Sequence, residues 1–543
     1  LNSVLLPASR ASRAPWLLAL AYFALGLVWL GSEGTYHGDE RFYTDAVLRM
    51  LASDDWLRPE YADGTARLNK PLLVYWLMAA SMKLFGANLF AARLPFLIAG
   101  ALLIPVTARL ARALFPSHPR APWLATLIAA SNTSLVTLAV RCTPDILLAL
   151  SVAIAWIGLA ELLVAERPPR RCAPWLWGGI GFAAASKGSL ALVLVIFALV
   201  AIAVKRRSAW RELLHAPSLL LGFGVAAASL APLWLIEDPN AGASFVKDQV
   251  STRIANSPLE ALELAGAYVG STARHFLPWL LAPLLALFVA RPALRETLRT
   301  QRRGLALAGL FAAALWVVFA SANLHRGRYL SPAYPTLACA LAVLVLDTQH
   351  VRAVRGGLRG LTALIALVSA LLAAVLVRVD LAASASAAFV AILAGVFAWR
   401  GAADRRAEHF ALASGALLLL AAPGVRHAFR SDYWSRAAAA ERIDATWGFD
   451  LSTPSVVRIL AEGRIDPRAW PAAPSEADFD SASAVLAMGP AIAELERRGW
   501  RLEECGFRAK RVKAGDVRPL LGADEPRAWF AAQGERVVLA HRP

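Results

Sequence analysis

Apolar runs of about 18–22 residues recur along this chain, each long enough to cross the hydrocarbon core of a bilayer as a helix. No other feature constrains the fold as tightly. In hydrocarbon every backbone N–H and C=O must find its partner inside the segment, which leaves the α-helix for runs of this length. Composition agrees: 58% of the 543 residues are hydrophobic and 17% are charged, against about 25% charged in soluble domains. The chain is therefore expected to be an all-α polytopic membrane protein. A net charge of +17 invites a nucleic-acid reading. The Lys and Arg residues, however, gather in short loops between apolar runs and not in a patch with interleaved aromatics, so no nucleic-acid partner is expected.

Spans are expected at about 15–31, 89–114, 121–140, 144–165, 173–187, 189–205, 216–235, 273–290, 304–321, 329–347, 359–377, 383–399 and 407–424, about thirteen in all. The first follows Arg10 and Arg13 and lacks a small-residue cleavage site, so it reads as a retained signal-anchor. Residues 71–86 are apolar but too short to span comfortably, and are expected to lie along the interface. So is 38–52, with Phe42, Val47, Leu48 and Leu51 on one face and Asp45 and Arg49 on the other.

Charge bias sets the orientation. Alternate loops carry Arg10 and Arg13, Arg112 and Arg120, Arg167, Arg170 and Arg171, then Lys205 to Arg211. The series continues with Arg291 to Arg303, Arg352 and Arg355, and Arg400 to Arg406. Short basic loops stay cytoplasmic. The opposite face then holds an outer loop at 32–88, the turns near 141–144, 188 and 322–328, and the tail. Beyond residue 428 charge rises and short apolar runs appear at 456–460, 484–488 and 537–540. Residues 1–428 are thus expected to form the membrane domain, and 429–543 a small α/β domain on the outer, periplasmic side. Cys142, Cys172, Cys339 and Cys505 are far apart, without metal-ligand spacing, and read as buried small hydrophobes.

Charges at membrane depth are costly and mark candidate functional residues. Asp39 and Glu40 follow Gly38 at the start of the interfacial helix; Asp39 alone suits either an N-cap or a proton acceptor. Asp145 follows Pro144 at a helix start, where an acid also favours the dipole. Lys187 lies between two spans, where it can snorkel to the headgroups or bind phosphate as a point charge. Lys70 is an equivalent candidate at the interface. His325, Arg326, Arg328 and Tyr329 form a basic turn on the outer face, against the positive-inside pattern. Clustered guanidinium groups there suit a phosphate or pyrophosphate, or anionic lipid headgroups.

At these positions the sequence resembles the GT-C class of membrane glycosyltransferases, in particular the branch of protein O-mannosyltransferases and the aminoarabinose transferase of lipid A. The resemblance rests on Gly38-Asp39-Glu40-Arg41-Phe42-Tyr43, Met50 to Trp56 and Asn69-Lys70-Pro71-Leu72-Leu73-Val74-Tyr75-Trp76, then on Arg141 to Asp145, Ser186-Lys187-Gly188 and Arg328 to Pro335. It covers roughly 15–345. Leu72 in place of a second Pro, Ser186 in place of Thr and Ser331 in place of an apolar residue bear on donor sugar and acceptor more than on class.

The resemblance implies a GT-C fold and an inverting transfer of a sugar from a polyprenyl-phosphate donor to a lipid, protein or glycan acceptor. The site would face outward from the bacterial inner membrane, and the protein would act as a monomer among membrane lipids. It implies Asp39 and Asp145 as catalytic carboxylates, with Lys70, Arg328 and Tyr329 at the lipid phosphate; Glu40, Lys187, His325 and Arg326, from the same charge cluster, are expected to bind substrate too. No cofactor is required; a divalent metal stays possible, as some GT-C enzymes use one, but no ligand cluster calls for it. The alternative is a transporter or flippase of a lipid-linked saccharide. That class would be expected to show broken helices in two related halves with charges near mid-membrane, whereas these charges hug one face.

Overall fold

The computed structural model describes residues 8–33, 36, 38–61, 64–67, 70–188, 190–231, 257–321, 327–349, 351–400, 406–428, 442–450, 453–508, 528–529 and 532–543. Among the described residues, the long apolar runs fold as helices. In order these are α1 (Ala8–Leu27), α2 (Arg41–Ser53), α3 (Leu73–Phe85), α4 (Leu89–Leu114), α5 (Ala121–Ala130), α6 (Thr133–Ala139), α7 (Asp145–Leu163), α8 (Pro169–Lys187) and α9 (Leu190–Lys205). They continue with α10 (Trp210–Leu213), α11 (Ala216–Leu230), α12 (Pro258–Val289), α13 (Arg291–Thr300) and α14 (Arg302–Ala320). A 3-10 turn (Gly327–Ala333) then leads into α15 (Tyr334–Thr348), α16 (Arg352–Leu376), α17 (Leu381–Trp399), α18 (Arg406–Ala416) and α19 (Ala422–Ala428).

Among the described residues, seven helical segments are long and apolar enough to cross a membrane, or up to nine if two bent pairs each count as one span. The chain is an integral membrane protein. α7 is central: 83% of its apolar window is buried, against 17% for α16, which turns Leu364, Leu367 and Leu371 outward to lipid. The 13 residues of α3 reach only about 20 Å, well short of the ~30 Å hydrocarbon core. The segment expected to span at 121–140 is broken. α5 stops at Ala130, and Asn132 caps α6 by accepting from Ser134 N and Leu135 N, both at 3.1 Å. An Asn that satisfies free N–H groups starts a new helix there and does not continue the old one.

Two contacts fix the frame around the outer loop. α7 and α8 run close together because Gly179 presents no side chain: a Cβ there would lie 2.2 Å from Ala155 N. Small residues are what let membrane helices approach to backbone contact. The second contact is a fully buried ion pair. Arg93 of α4 grips Glu40 through Nε at 2.8 Å and Nη2 at 3.0 Å, and its Nη1 donates to Leu30 O and Ser32 O, each at 2.9 Å. Glu40 Oε1 also accepts from Cys142 N at 3.1 Å. This one ion pair thus ties the turn after α1, the start of α2, α4 and the turn before α7 together.

The C-terminal residues form a mixed five-stranded sheet of order β2-β1-β3-β5-β4, from β1 (Ala445–Trp447), β2 (Arg468–Ala469), β3 (Ala484–Met488), β4 (Arg501–Arg508) and β5 (Glu535–His541). The helices α20 (Thr453–Leu460), α21 (Glu476–Ser481) and α22 (Pro490–Arg497) accompany it. β1 pairs in parallel with β2 and β3; β5 is antiparallel to β3 and β4. The apolar run 456–460 is the helix α20, and Val456, Val457 and Ile459 join the same core as Val47 and Leu48 of α2. The polar face expected for α2 is accordingly not solvated. Asp45 is buried and paired with Arg458, because α20 covers that face.

Gly179→Ala should lower stability by about 1–3 kcal/mol, whereas Gly309→Ala, with nothing within 4 Å of the added carbon, should not. Thermal unfolding in detergent compares them. Arg93→Leu should lose about 3–5 kcal/mol by stranding Glu40 in the interior. Adding Glu40→Leu should restore part of that loss in the same assay.

Candidate active site

Four separate parts of the chain meet above the start of α7. Pro144 precedes the helix, so Asp145 occupies its first turn, where an acid suits the positive end of the dipole. α8 ends at Lys187 because Gly188 takes φ +59°, and a cation suits the negative end. The close α7–α8 packing brings the two ends side by side, and Lys187 Nζ donates to Asp145 Oδ1 at 2.5 Å. The 3-10 turn after α14 supplies Arg328, whose Nη1 donates to Asp39 Oδ2 at 2.5 Å and whose Nε lies 3.5 Å from Asp145 Oδ2. Tyr329 follows it, with the Lys187 ammonium 4.5 Å from its ring centre. Lys70, part-buried at the entry to α3, adds its positive charge to the field at Asp145.

The carboxylates differ in access. Asp145 is 4% exposed and sits between two cations, whereas Asp39 is 25% exposed. α2 begins at Arg41, with Glu40 and not Asp39 at its N-cap position. The arrangement can hold an ionised carboxylate at an accessible surface while keeping cations close by for an incoming anion.

The structure therefore brings together Asp39, Asp145, Lys70, Lys187, Arg328 and Tyr329. Glu40, expected to bind substrate, is fully buried with Arg93 and Cys142 on its carboxylate, so it faces the scaffold and not the opening. His325 and Arg326 lie outside the described residues. No group of three or more His, Cys, Asp or Glu side chains able to hold a metal gathers among the described residues.

Sequence reasoning passed over two arginines. Arg93 interrupts the apolar start of α4, and that interruption was the signal available. Arg141 stands in the turn before α7 and has no side-chain hydrogen bond or ion pair among the described residues. Burial, reinforced by nearby Arg426, Arg93 and Arg328 and opposed by Glu40, pulls its guanidinium down to about 10. It stays charged at neutral pH, a further cation near Glu40 and Arg328.

Residues 69–236 match the family model described as dolichyl-phosphate-mannose-protein mannosyltransferase. The undecaprenyl phosphate-alpha-4-amino-4-deoxy-L-arabinose arabinosyl transferase of Pseudomonas aeruginosa (strain LESB58) is 29% identical over 340 residues, 61% of this chain and 58% of that protein. A second transferase of the same description, from Pseudomonas fluorescens (strain Pf0-1), is 27% identical over 367 residues, 64% of this chain and 62% of its own length. The chain thus spans about three fifths of the curated relatives it matches. The crystal structure of ArnT from Cupriavidus metallidurans in the apo state superposes with a TM-score of 0.67 at 18% identity, covering 96% of this chain and 97% of that one. The same protein bound to undecaprenyl phosphate gives 0.65 at 20% identity, covering 97% and 98%. The resemblance read from the sequence stands: residues 69–236 match the mannosyltransferase family model, and over nearly its whole length the chain shares the fold of ArnT.

Proposed function

We propose that this chain is an inverting glycosyltransferase that moves a sugar from a polyprenyl phosphate to a lipid acceptor. The observation that carries this reading is the meeting of Asp39, Asp145, Lys187 and Arg328 from four distant segments. The names of the curated relatives support an undecaprenyl-phosphate donor. They also make 4-amino-4-deoxy-L-arabinose the first sugar to test; a lipid A-like acceptor follows from the resemblance read in the sequence.

In this reading Asp39 orients the acceptor hydroxyl and takes its proton as the oxygen attacks the anomeric carbon. The bond from that carbon to the phosphate oxygen breaks, and the electron pair leaves with the polyprenyl phosphate. Lys70 and Arg328 meet the charge that develops there. Arg328 is already shared between two carboxylates, so an arriving phosphate competes for it and loosens its hold on Asp39. Asp145 keeps Arg328 and Lys187 in place meanwhile. The cations supply the stabilisation a metal would otherwise provide, so the reaction needs neither metal nor nucleotide.

The same reading fills in topology. About thirteen spans, with Arg-rich loops cytoplasmic, put the site and the domain at 429–543 on the periplasmic side of the inner membrane. A single chain holds the whole site.

Asp39→Asn should cut transfer by at least about 100-fold while leaving the unfolding midpoint in detergent unchanged. The assay is turnover of purified undecaprenyl-phosphate-linked sugar, and near-wild-type turnover would remove Asp39 from the mechanism. Lys70→Ala should raise donor KM about tenfold and spare acceptor KM; equal rises in both would argue against a phosphate contact. Turnover should survive a chelator unchanged.

A further inference from the structure

α7 carries Asp145 at one end and Leu163 at the other, 19 residues in all, a rise of about 28 Å. Its far end therefore reaches the opposite membrane surface. There, where α4 and α7 stop and α8 begins, lies an open cleft of about 430 Å³ lined by Arg109, Arg112, Arg167 and Glu161 over small apolar residues such as Ala113 and Ala165.

Charge in this cleft does not balance. Glu161 is buried and already receives Arg109 Nε at 3.2 Å and Nη2 at 3.1 Å. Arg109 also lies 3.8 Å over the Trp175 ring. Arg112 and Arg167 have no carboxylate partner among the described residues. The negative end of α7 is satisfied by other donors: Arg206 Nη1 gives to Leu162 O at 2.7 Å, and Arg167 N to Glu161 O at 2.8 Å. Three guanidinium groups thus face one engaged carboxylate, and two positive charges border an open hollow.

We propose that this cleft is a phosphate-binding site, and that it takes the phosphodiester headgroup of an anionic membrane phospholipid. Guanidinium forks match phosphate oxygens. Basic pockets between helix ends at a membrane surface are where anionic headgroups bind. Trp175 under Arg109 has the side chain that favours headgroup depth, and the apolar floor suits a glycerol backbone better than a hydrated free ion. The inference does not rest on the proposed reaction, since its test reads binding and not transfer.

The test is native mass spectrometry of the full chain in detergent with phosphatidylglycerol, phosphatidylcholine or neither. A parallel arm follows thermal unfolding with millimolar inorganic phosphate. The wild type should retain phosphatidylglycerol but not phosphatidylcholine. The double variant Arg112→Gln/Arg167→Gln should retain it about tenfold more weakly. Arg112→Lys/Arg167→Lys, which keeps charge and guards against a folding defect, should fall between the two. A response to inorganic phosphate alone, lost in the Gln variant, keeps the phosphate site but makes its source soluble. Equal retention of phosphatidylglycerol by wild type and Gln variant, or no response to either anion, overturns the proposal.

Discussion

An ionised carboxylate at the edge of a bilayer must be met by cations, because desolvation otherwise drives it neutral or drives the structure apart. Asp145 is where this chain meets that constraint. It lies at the start of the most buried spanning helix, with Lys187 on one oxygen and Arg328 near the other. Those two cations come from helix ends far apart in sequence, so the pairing fixes where α8 and the 3-10 turn after α14 must finish. The rest of the site follows. Arg328, once placed by Asp145, reaches Asp39 as well.

The neighbours Asp39 and Glu40 show how adjacent acids acquire opposite roles. Glu40 points inward and meets Arg93, and with both oxygens engaged it anchors α2 to α4 and to the turn before α7. Asp39 points to the opening and keeps a quarter of its surface. The pair divides a buried anchor from an exposed acid: the fixed position of Glu40 holds Asp39 at the opening. A chain with only one acid there could not supply both.

Much of this was legible in the sequence because membrane helices announce themselves by length and composition. α4, α7, α14, α16 and α17 begin and end within a few residues of the expected spans outside α16, whose basic first two turns extend the helix beyond its apolar part. Asp39, Asp145, Lys187 and Arg328 were readable for a related reason: a charge beside hydrocarbon is rare and needs a cause. The same logic applies to Arg93, whose apolar surroundings hid it among the spans. The break at Asn132 was harder, since Ser131-Asn132 is a short polar pair inside an apolar run, and only its capping bonds reveal two helices. The cover over Asp45 was not legible, because an amphipathic pattern says which face is polar, not what covers it.

What covers Asp45 bears on the site itself. Arg458 of α20 is buried between Asp45 and Asp466, with Arg49 3.7 Å from each of those acids. Burial pulls Arg458 down to about 10, still charged at neutral pH. Two acids and two bases thus balance in a small volume, and removing either Asp45 or Arg458, the two that are buried, weakens the compensation of the other. Nearby, Leu48 lies 3.4 Å from where a Cβ on Gly463 would sit, so apolar packing accompanies the ions. α2 is therefore held from two sides, by Arg93 at its first turn and by Arg458 along its polar face. Asp39 precedes that first turn directly. A helix clamped at both places can move neither toward the bilayer nor away from it without breaking a buried ion pair, and this makes the C-terminal domain part of what aims the carboxylate.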